Sequence, residues 1–450
     1  MIESLAPLVE QLKPVFTQPS FQTGAQLLLG WITCLGKHTL RRVAHNTQPG
    51  VVPDYSQRHD LDGYYNYFGR SAWTAQGLAR RVALLVFTRL KLFGVLTRLV
   101  DDTLAHQRGQ SVWGLGWFRD ACASTTKRVA TAAGPNWVVL AVAVCLPGTG
   151  VPLWALPLVA RRHRPGPGQP SCPLLAKAML AAVLAWFPGR RLTLVGDGAS
   201  ACKELLKDLD ERVCFVGRIR GDAALYDPRV PQAKPGTPGP KAPKGPPLPK
   251  PKEAAAKADR KRSAAGAWRW QAVEVVLYGC AQGLKIVADA ALWPRVLGQR
   301  PARVVVVRDP SGRRRDCYLF TTDLSASDAW VITQFAWRWS LEVLFRASKQ
   351  VMDLEAPQHW CQESVEKVAP WVWSMQSVII VWYVSAGREL PEAQALRQRM
   401  GDWDSEWSLR HMVQVLRSAI LNATINPNSA DEAKLRDMVE TLKKWANLAA

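Results

Sequence analysis

The sequence predicts an α/β protein: a mixed sheet flanked by helices, carrying a β-rich insertion, with a helical N-terminal domain and a helical C-terminal region. Three observations carry that reading. Apolar runs of strand length occur at 93–100, 111–118 and 137–146, after a stretch with helical periodicity. Helix-like and strand-like segments then alternate between 172 and 219. A Pro/Lys-rich stretch separates these from four further strand-like runs, which lead into a long amphipathic helix.

Taken in order, residues 1–92 read as a helical DNA-binding domain. Segments 23–35 and 74–92 repeat apolar residues at three- and four-residue spacing, with turn signals at 47–50 and 53–54 between them. Basic residues gather at Lys37, Arg41 and Arg42, and again at Arg80, Arg81, Arg89 and Lys91. They read either as a solvated helical face or as DNA contacts, with Arg41 and Arg42 the candidates.

The period changes at 93. The run 93–100 stops at Asp101-Asp102-Thr103; SVWGLGWF (111–118) and WVVLAVAVCL (137–146) suit the next two strands of a meander. A helix is expected at 172–187. RLTLV (191–195) reads as a strand broken at Gly196-Asp197-Gly198, 199–209 as a helix, and 212–219 as another strand. Three strands, helix, strand, helix, strand is the order of an RNase H-like core, here 93–225. Periodicity alone does not separate that fold from other α/β arrangements.

Residues 226–265 form a low-complexity segment. Ten Pro fall between Pro228 and Pro251, interleaved with Lys and followed by Arg260-Lys261-Arg262. This composition suits an extended, mobile, cationic tether, either a plain linker or a sequence-blind phosphate contact. Runs at 268–278, 284–290, 303–308 and 316–322 make up a β-rich insertion, 266–323. The amphipathic helix 326–351 opens the second part of the core, 324–386. Residues 387–450 read as helical, ending in a polar helix near 431–448.

Composition narrows the function. Of 450 residues, 48% are hydrophobic, which suits a globular chain. Lys and Arg number 58 against 37 Asp and Glu, a formal charge of +21. Such a field favours a polyanion over a small acidic metabolite as partner. The most apolar tracts, 137–146 and 372–386, fall short of the roughly 18–20 residues needed to cross a bilayer. The first 20 residues carry Glu3 and Glu10 and no secretory apolar stretch. A cytoplasmic, nucleoid-associated protein without a membrane partner is therefore expected. Nine Cys stand singly with no CxxC pair, which argues against a disulfide framework or zinc ribbon and for reduced, mostly buried thiols. Twenty Trp either fill a core or stack on unpaired bases.

Three acidic positions stand out by context. Asp101 and Asp102 end an apolar strand. Asp197 follows another, in a Gly-Asp-Gly turn where backbone approaches a ligand closely. Glu342 lies inside the long helix. A sheet-plus-helix core brings strand ends and one facing helix together, and three such carboxylates carry too much like charge to stay ionised alone. Two Mg²⁺ ions, with Mn²⁺ able to substitute, would neutralise them through oxygen ligands. Two such metals clamp the attacking and leaving oxygens of an in-line phosphoryl displacement. Singly, each acid has a plainer reading: a turn for Asp101 and Asp102, a helix cap for Asp197, a helix-surface pair for Glu342.

Around Glu342 stand Phe335, Arg338, Glu342 and Lys349. This pattern resembles the Tyr, two residues, Arg, three residues, Glu, six residues, Lys signature of DDE transposases of the bacterial IS4 and IS701-like insertion-sequence kind. Phe335 keeps the ring and lacks the hydroxyl. The spacings put Arg338, Glu342 and Lys349 on one helix face. Leu28-Leu29-Gly30-Trp31, Asp101-Asp102-Thr103, Val195-Gly196-Asp197-Gly198 and the 319–323 run come in that family's order.

The resemblance implies an RNase H-like core with an inserted β domain. It implies Asp101, Asp197 and Glu342 as catalytic metal ligands. The family's Asp, any residue, Thr or Ser pattern favours Asp101 over Asp102 as the first of them. It implies phosphate contacts by Arg338 and Lys349, terminal inverted repeats and target DNA as partners, and a homodimeric synaptic complex. Trp268, Trp270 and Trp293 are candidates for supporting a flipped base, or else core residues of the insertion. The implied activity is metal-dependent cleavage at transposon ends and transfer of the 3′-OH into target DNA. The alternatives are an RNase H-like nuclease without strand transfer and a transposase-derived DNA-binding protein without chemistry.

Overall fold

The computed structural model describes residues 2–46, 61–109, 111–125, 127–146, 153–229, 244–260, 269–401 and 405–424. Five helices come first: α1 (Ala6–Glu10), α2 (Gln18–Thr33), α3 (Leu40–His45), α4 (Leu61–Gly69) and α5 (Ala75–Arg89). Thr17, Thr39 and Thr74 cap three of them by accepting backbone N–H groups from Ser20, Arg42 and Gly77. The apolar faces of this helical stretch share one continuous core with the sheet.

The sheet begins with β1 (Leu96–Leu104), a side hairpin β2 (Gly116–Arg119) and β3 (Thr131–Gly134), then β4 (Asn136–Cys145) and β5 (Leu153–His163). There follow α6 (Cys172–Trp186), β6 (Leu192–Gly196), α7 (Lys203–Leu206) and β7 (Val213–Arg218). β4 runs antiparallel between β5 and β1, while β6 and β7 run parallel to β1, giving the order β5-β4-β1-β6-β7. This is an RNase H-like core, and the ends of β1 and β6 fall along the same edge.

The meander differs from expectation in its members. Of the 111–118 run only 116–118 is extended, as part of β2, and it pairs with β3 away from the main sheet. Gly114, at φ +61°, turns the chain just before it. The third strand of the core is β5, which the sequence reading missed because Pro157 and Arg161-Arg162-His163 interrupt its apolar run. Pro157 is tolerated because the register shifts opposite Leu140/Ala141, on an edge strand. The helix expected at 199–209 is a single turn, α7.

Next come β8 (Leu225–Tyr226), β9 (Pro247–Leu248) and α8 (Pro251–Asp259). The expected tether is thus partly a folded element: Ala254 and Ala255 of α8 are buried, and Ala255 packs against Val287 and Val306. Residues 230–243 and 261–268 of that segment lie outside the described residues. The insertion supplies β10 (Gln271–Leu277), β11 (Cys280–Leu292), α9 (Pro294–Leu297), β12 (Pro301–Arg308) and β13 (Cys317–Thr321). β13 pairs antiparallel with β7, so these strands extend the core sheet.

α10 (Asp328–Trp337) and α11 (Trp339–Gln350) replace the single helix expected at 326–351. The interruption is at Arg338, where Arg338 N bonds Phe335 O and Leu341 N bonds Arg338 O, three-residue bonds that tighten the turn. α12 (Gln362–Ser385) is longer than the 372–386 tract and, by length and composition, long enough to cross a membrane; here it is the buried central helix. It carries Trp371, Trp373 and Trp382, with Trp31 5.1 Å from Trp371 and Trp137 5.7 Å from Trp373. Trp is therefore largely core filling. α13 (Pro391–Arg397) and α14 (Leu409–Thr424) follow; the helix expected near 431–448 lies outside the described residues. Of the Cys residues only Cys34 is buried, and Cys122, Cys145, Cys280 and Cys361 are exposed, so the expectation of mostly buried thiols is corrected.

Candidate active site

β1 and β6 are parallel neighbours in register, Leu99 opposite Val195. Asp101 therefore sits near the end of one strand and Asp197 just past the end of the next. Residues alternate faces along a strand, which separates the two neighbouring acids. Asp101 accepts a hydrogen bond from Arg338 Nη1 at 2.5 Å. Asp102 faces the other way and accepts from Asn136 Nδ2 at 3.0 Å. There it adds to the burial that pushes the Cys172 thiol up to about 12.

α11 brings its face to the same edge. Arg338 Nη2 donates to Glu342 Oε1 at 2.7 Å, so one guanidinium joins Asp101 to Glu342. The helix is held in place from behind: Trp373 Nε1 donates to Ser348 Oγ at 3.1 Å, and Ser348 Oγ donates to Leu344 O. Asp197 Oδ1 accepts from Ser200 N at 2.9 Å and from Ser200 Oγ at 3.0 Å. Gly196 is required for that turn, since a Cβ there would lie 2.6 Å from Ser200 Cβ. Gly198 has room to spare.

Electrostatics tie the cluster together. Burial pushes the Asp101 carboxyl up to about 7; Arg338 opposes the shift, while the charges of Asp197 and Asp102 add to it. Burial works against the Arg338 charge, but Asp101, Glu342 and Asp197 outweigh it and hold that pKa above its usual value. Asp197 thus acts on both Asp101 and Arg338.

Lys349, two turns further along α11, donates to the carbonyl of Leu104 at the end of β1 and pairs with Glu355 at 3.3 Å. Glu355 also accepts from the His106 backbone N–H at 2.8 Å. The His106 ring lies between Glu355, 3.0 Å from Nδ1, and Asp120, 2.9 Å from Nε2. His106, Asp120 and Glu355 escaped the sequence reading because they are spread over three segments and form no spaced motif. The chain packs tightly here: a Cβ on Gly134 would run into the Ala105 carbonyl.

Among the described residues, no group of three or more His, Cys, Asp or Glu stands close enough to hold a metal ion. The donors nevertheless fit Mg²⁺ in kind, being carboxylate oxygens, and Asp101 is buried beside the like charges of Asp197 and Asp102. Arg338 supplies the positive charge between two of them.

The remaining candidates lie elsewhere. Arg41 and Arg42 are exposed on α3. Trp268 lies outside the described residues. Trp270 donates to Asp259 at 2.9 Å and lies under the Arg308 guanidinium at 4.4 Å, fastening α8 to β12. Trp293 is only 8% exposed and packs edge-on to Phe320 at 5.4 Å. Its packing is that of a core residue of the insertion.

A family model described as DDE superfamily endonuclease matches residues 11–277, a span that holds β1 with Asp101 and β6 with Asp197 and ends before α11. No curated protein matches the chain. Among solved structures, it is similar to one described as a cryo-EM structure of piggyBac transposase synaptic complex with hairpin DNA. That similarity has 10% identity over 94% of this chain and 76% of the other, with a TM-score of 0.40. Because the match spans more than half of the sequence and encloses the parallel strands that present two of the three acids, this chain belongs to the DDE superfamily endonuclease family.

Proposed function

We propose that this endonuclease is a DNA transposase of the insertion-sequence kind. It would cut a phosphodiester at the ends of its element and join the released 3′-OH to target DNA. The observation that carries the reading is the Arg338 bridge between Asp101 and Glu342 at the strand edge that also presents Asp197.

Asp101, Asp197 and Glu342 would hold the Mg²⁺ ions. When bound, such ions lower the pKa of a coordinated water and stabilise charge on phosphoryl oxygens. The protein's own groups do the rest. Ser200 fixes the Asp197 carboxylate by two hydrogen bonds, leaving its other oxygen for ligation. Arg338 offers a planar fork, and Lys349 a point charge, to phosphates beside the scissile bond. The Lys349 anchor on Leu104 O sets its reach relative to β1. The excess of Lys and Arg over the chain favours double-stranded DNA as partner. A homodimer pairing two element ends, and a nucleoid-associated cytoplasmic location, complete the proposal.

The test uses the full chain, Mg²⁺ and duplex DNA bearing the inverted repeats that flank the gene. Wild type should nick the repeat ends and yield joined products, and Glu342→Gln should yield neither. Equal products from both proteins would reject the site. Cleavage without joining would leave an RNase H-like nuclease.

A further inference from the structure

We infer that the chain binds a small monatomic anion of the halide class at the start of β1, in a cavity built on Arg98. Arg98 points to the same face of the sheet as Asp102, toward α5 and α6. It is only 2% exposed, and its Nε and Nη1 are buried with no hydrogen-bond partner. A guanidinium keeps its charge under ordinary conditions, and a buried charge left unpaired is strongly unfavourable.

The surroundings increase the positive charge. Arg98 lies 4.9 Å over the Phe87 ring, and Arg190 lies 5.3 Å over the same ring. Phe87 and Phe187 stack at 4.2 Å beneath them. Burial, with the Arg190 charge adding, brings the Arg98 guanidinium down to about 9, and no carboxylate contributes. Arg98, Arg190 and Arg191 line a cavity of about 10 Å³ whose other walls include Gly94, Leu96 and Phe187, with no acid among the lining residues.

Size selects the occupant. The cavity centre has room for about one water-sized sphere, which excludes sulfate, phosphate and nucleotides and favours chloride over the larger bromide, and a DNA phosphate cannot reach so buried a group. A halide meets the charge demand and accepts from several N–H donors without directional preference. It would tie β1 to the end of α6, on the strand that presents Asp101 three residues further on.

The experiment is thermal unfolding of the full chain in sodium chloride, sodium bromide and sodium gluconate at equal ionic strength. The midpoint should rise by several degrees in the two halides, saturably with halide concentration, and Arg98→Met should abolish the difference. Equal midpoints in all three salts would overturn the inference. Bromide-soaked crystals of the wild-type protein give a readout that needs no variant. An anomalous peak within hydrogen-bonding reach of Arg98 is expected, and an ordered water alone at that position would refute the site.

Discussion

Asp101 and Glu342 are held by the two terminal nitrogens of one guanidinium, Arg338, at 2.5 and 2.7 Å. A strand and a helix from opposite ends of the core are thereby locked at the reacting edge. Arg338→Gln removes both bonds and leaves two acids facing each other. Losing one transition-state charge contact typically costs about 100- to 1,000-fold in rate. A fall of that size is expected in single-turnover DNA cleavage, with a stability loss of about 3 kcal/mol in urea unfolding. Unchanged cleavage would show that the arginine is only a structural clip.

The neighbouring acids should separate cleanly. Asp101→Asn should abolish cleavage, because that carboxylate belongs to the Arg338 cluster. Asp102→Asn should retain most of it, since Asp102 is bonded to Asn136 across the sheet. Parallel Mg²⁺-dependent cleavage assays check this, and the reverse ranking would reverse the assignment.

Trp293→Ala should act through the core. Truncating a buried aromatic costs about 3–5 kcal/mol, and Trp293 packs on Phe320 of β13. Urea unfolding should show that loss, while DNA affinity below the unfolding transition should match wild type. Weakened binding without destabilisation would restore its role as a base contact.

The acids were legible in the sequence for a definite reason. Each follows an apolar run or occupies a helix face, and those local patterns survive folding unchanged. Pairing of β7 with β13 was not legible, because about a hundred residues separate the partners and no local pattern records which strand edge accepts another. β5 hid behind Pro157 and a basic trio, features that an edge strand with a register shift accommodates. The break at Arg338 hid because apolar periodicity runs straight through it. Arg98 gave no sign at all: a single arginine in an apolar strand is indistinguishable from a surface residue until its neighbours are in place.

Acid sensitivity should trace in part to His359. Burial brings its pKa down to about 4 from 6.5, and its Nε2 has no partner. Above about 6.5 both folded and unfolded chains hold it neutral. Below that, the unfolded chain takes up a proton that the folded chain refuses until near pH 4. Stability should therefore fall as pH drops through this window, by up to about 1.4 kcal/mol per pH unit for one group. His359→Phe, which can keep the edge contacts to Tyr65 and Phe68, should flatten that limb in urea unfolding at pH 7, 5.5 and 4.5. An unaltered slope would place the sensitivity in other groups.

Because β13 is hydrogen-bonded to β7, the strands inserted between the second and third acids continue the core sheet as one hydrogen-bonded ladder. Gly217 stands opposite Phe320 on one side and Gly196 on the other, next to Asp197. A duplex pressing on the outer hairpin would load that ladder and reach the acid as elastic twist. On the proposed function, DNA contact and the placement of Asp197 would then share this one ladder.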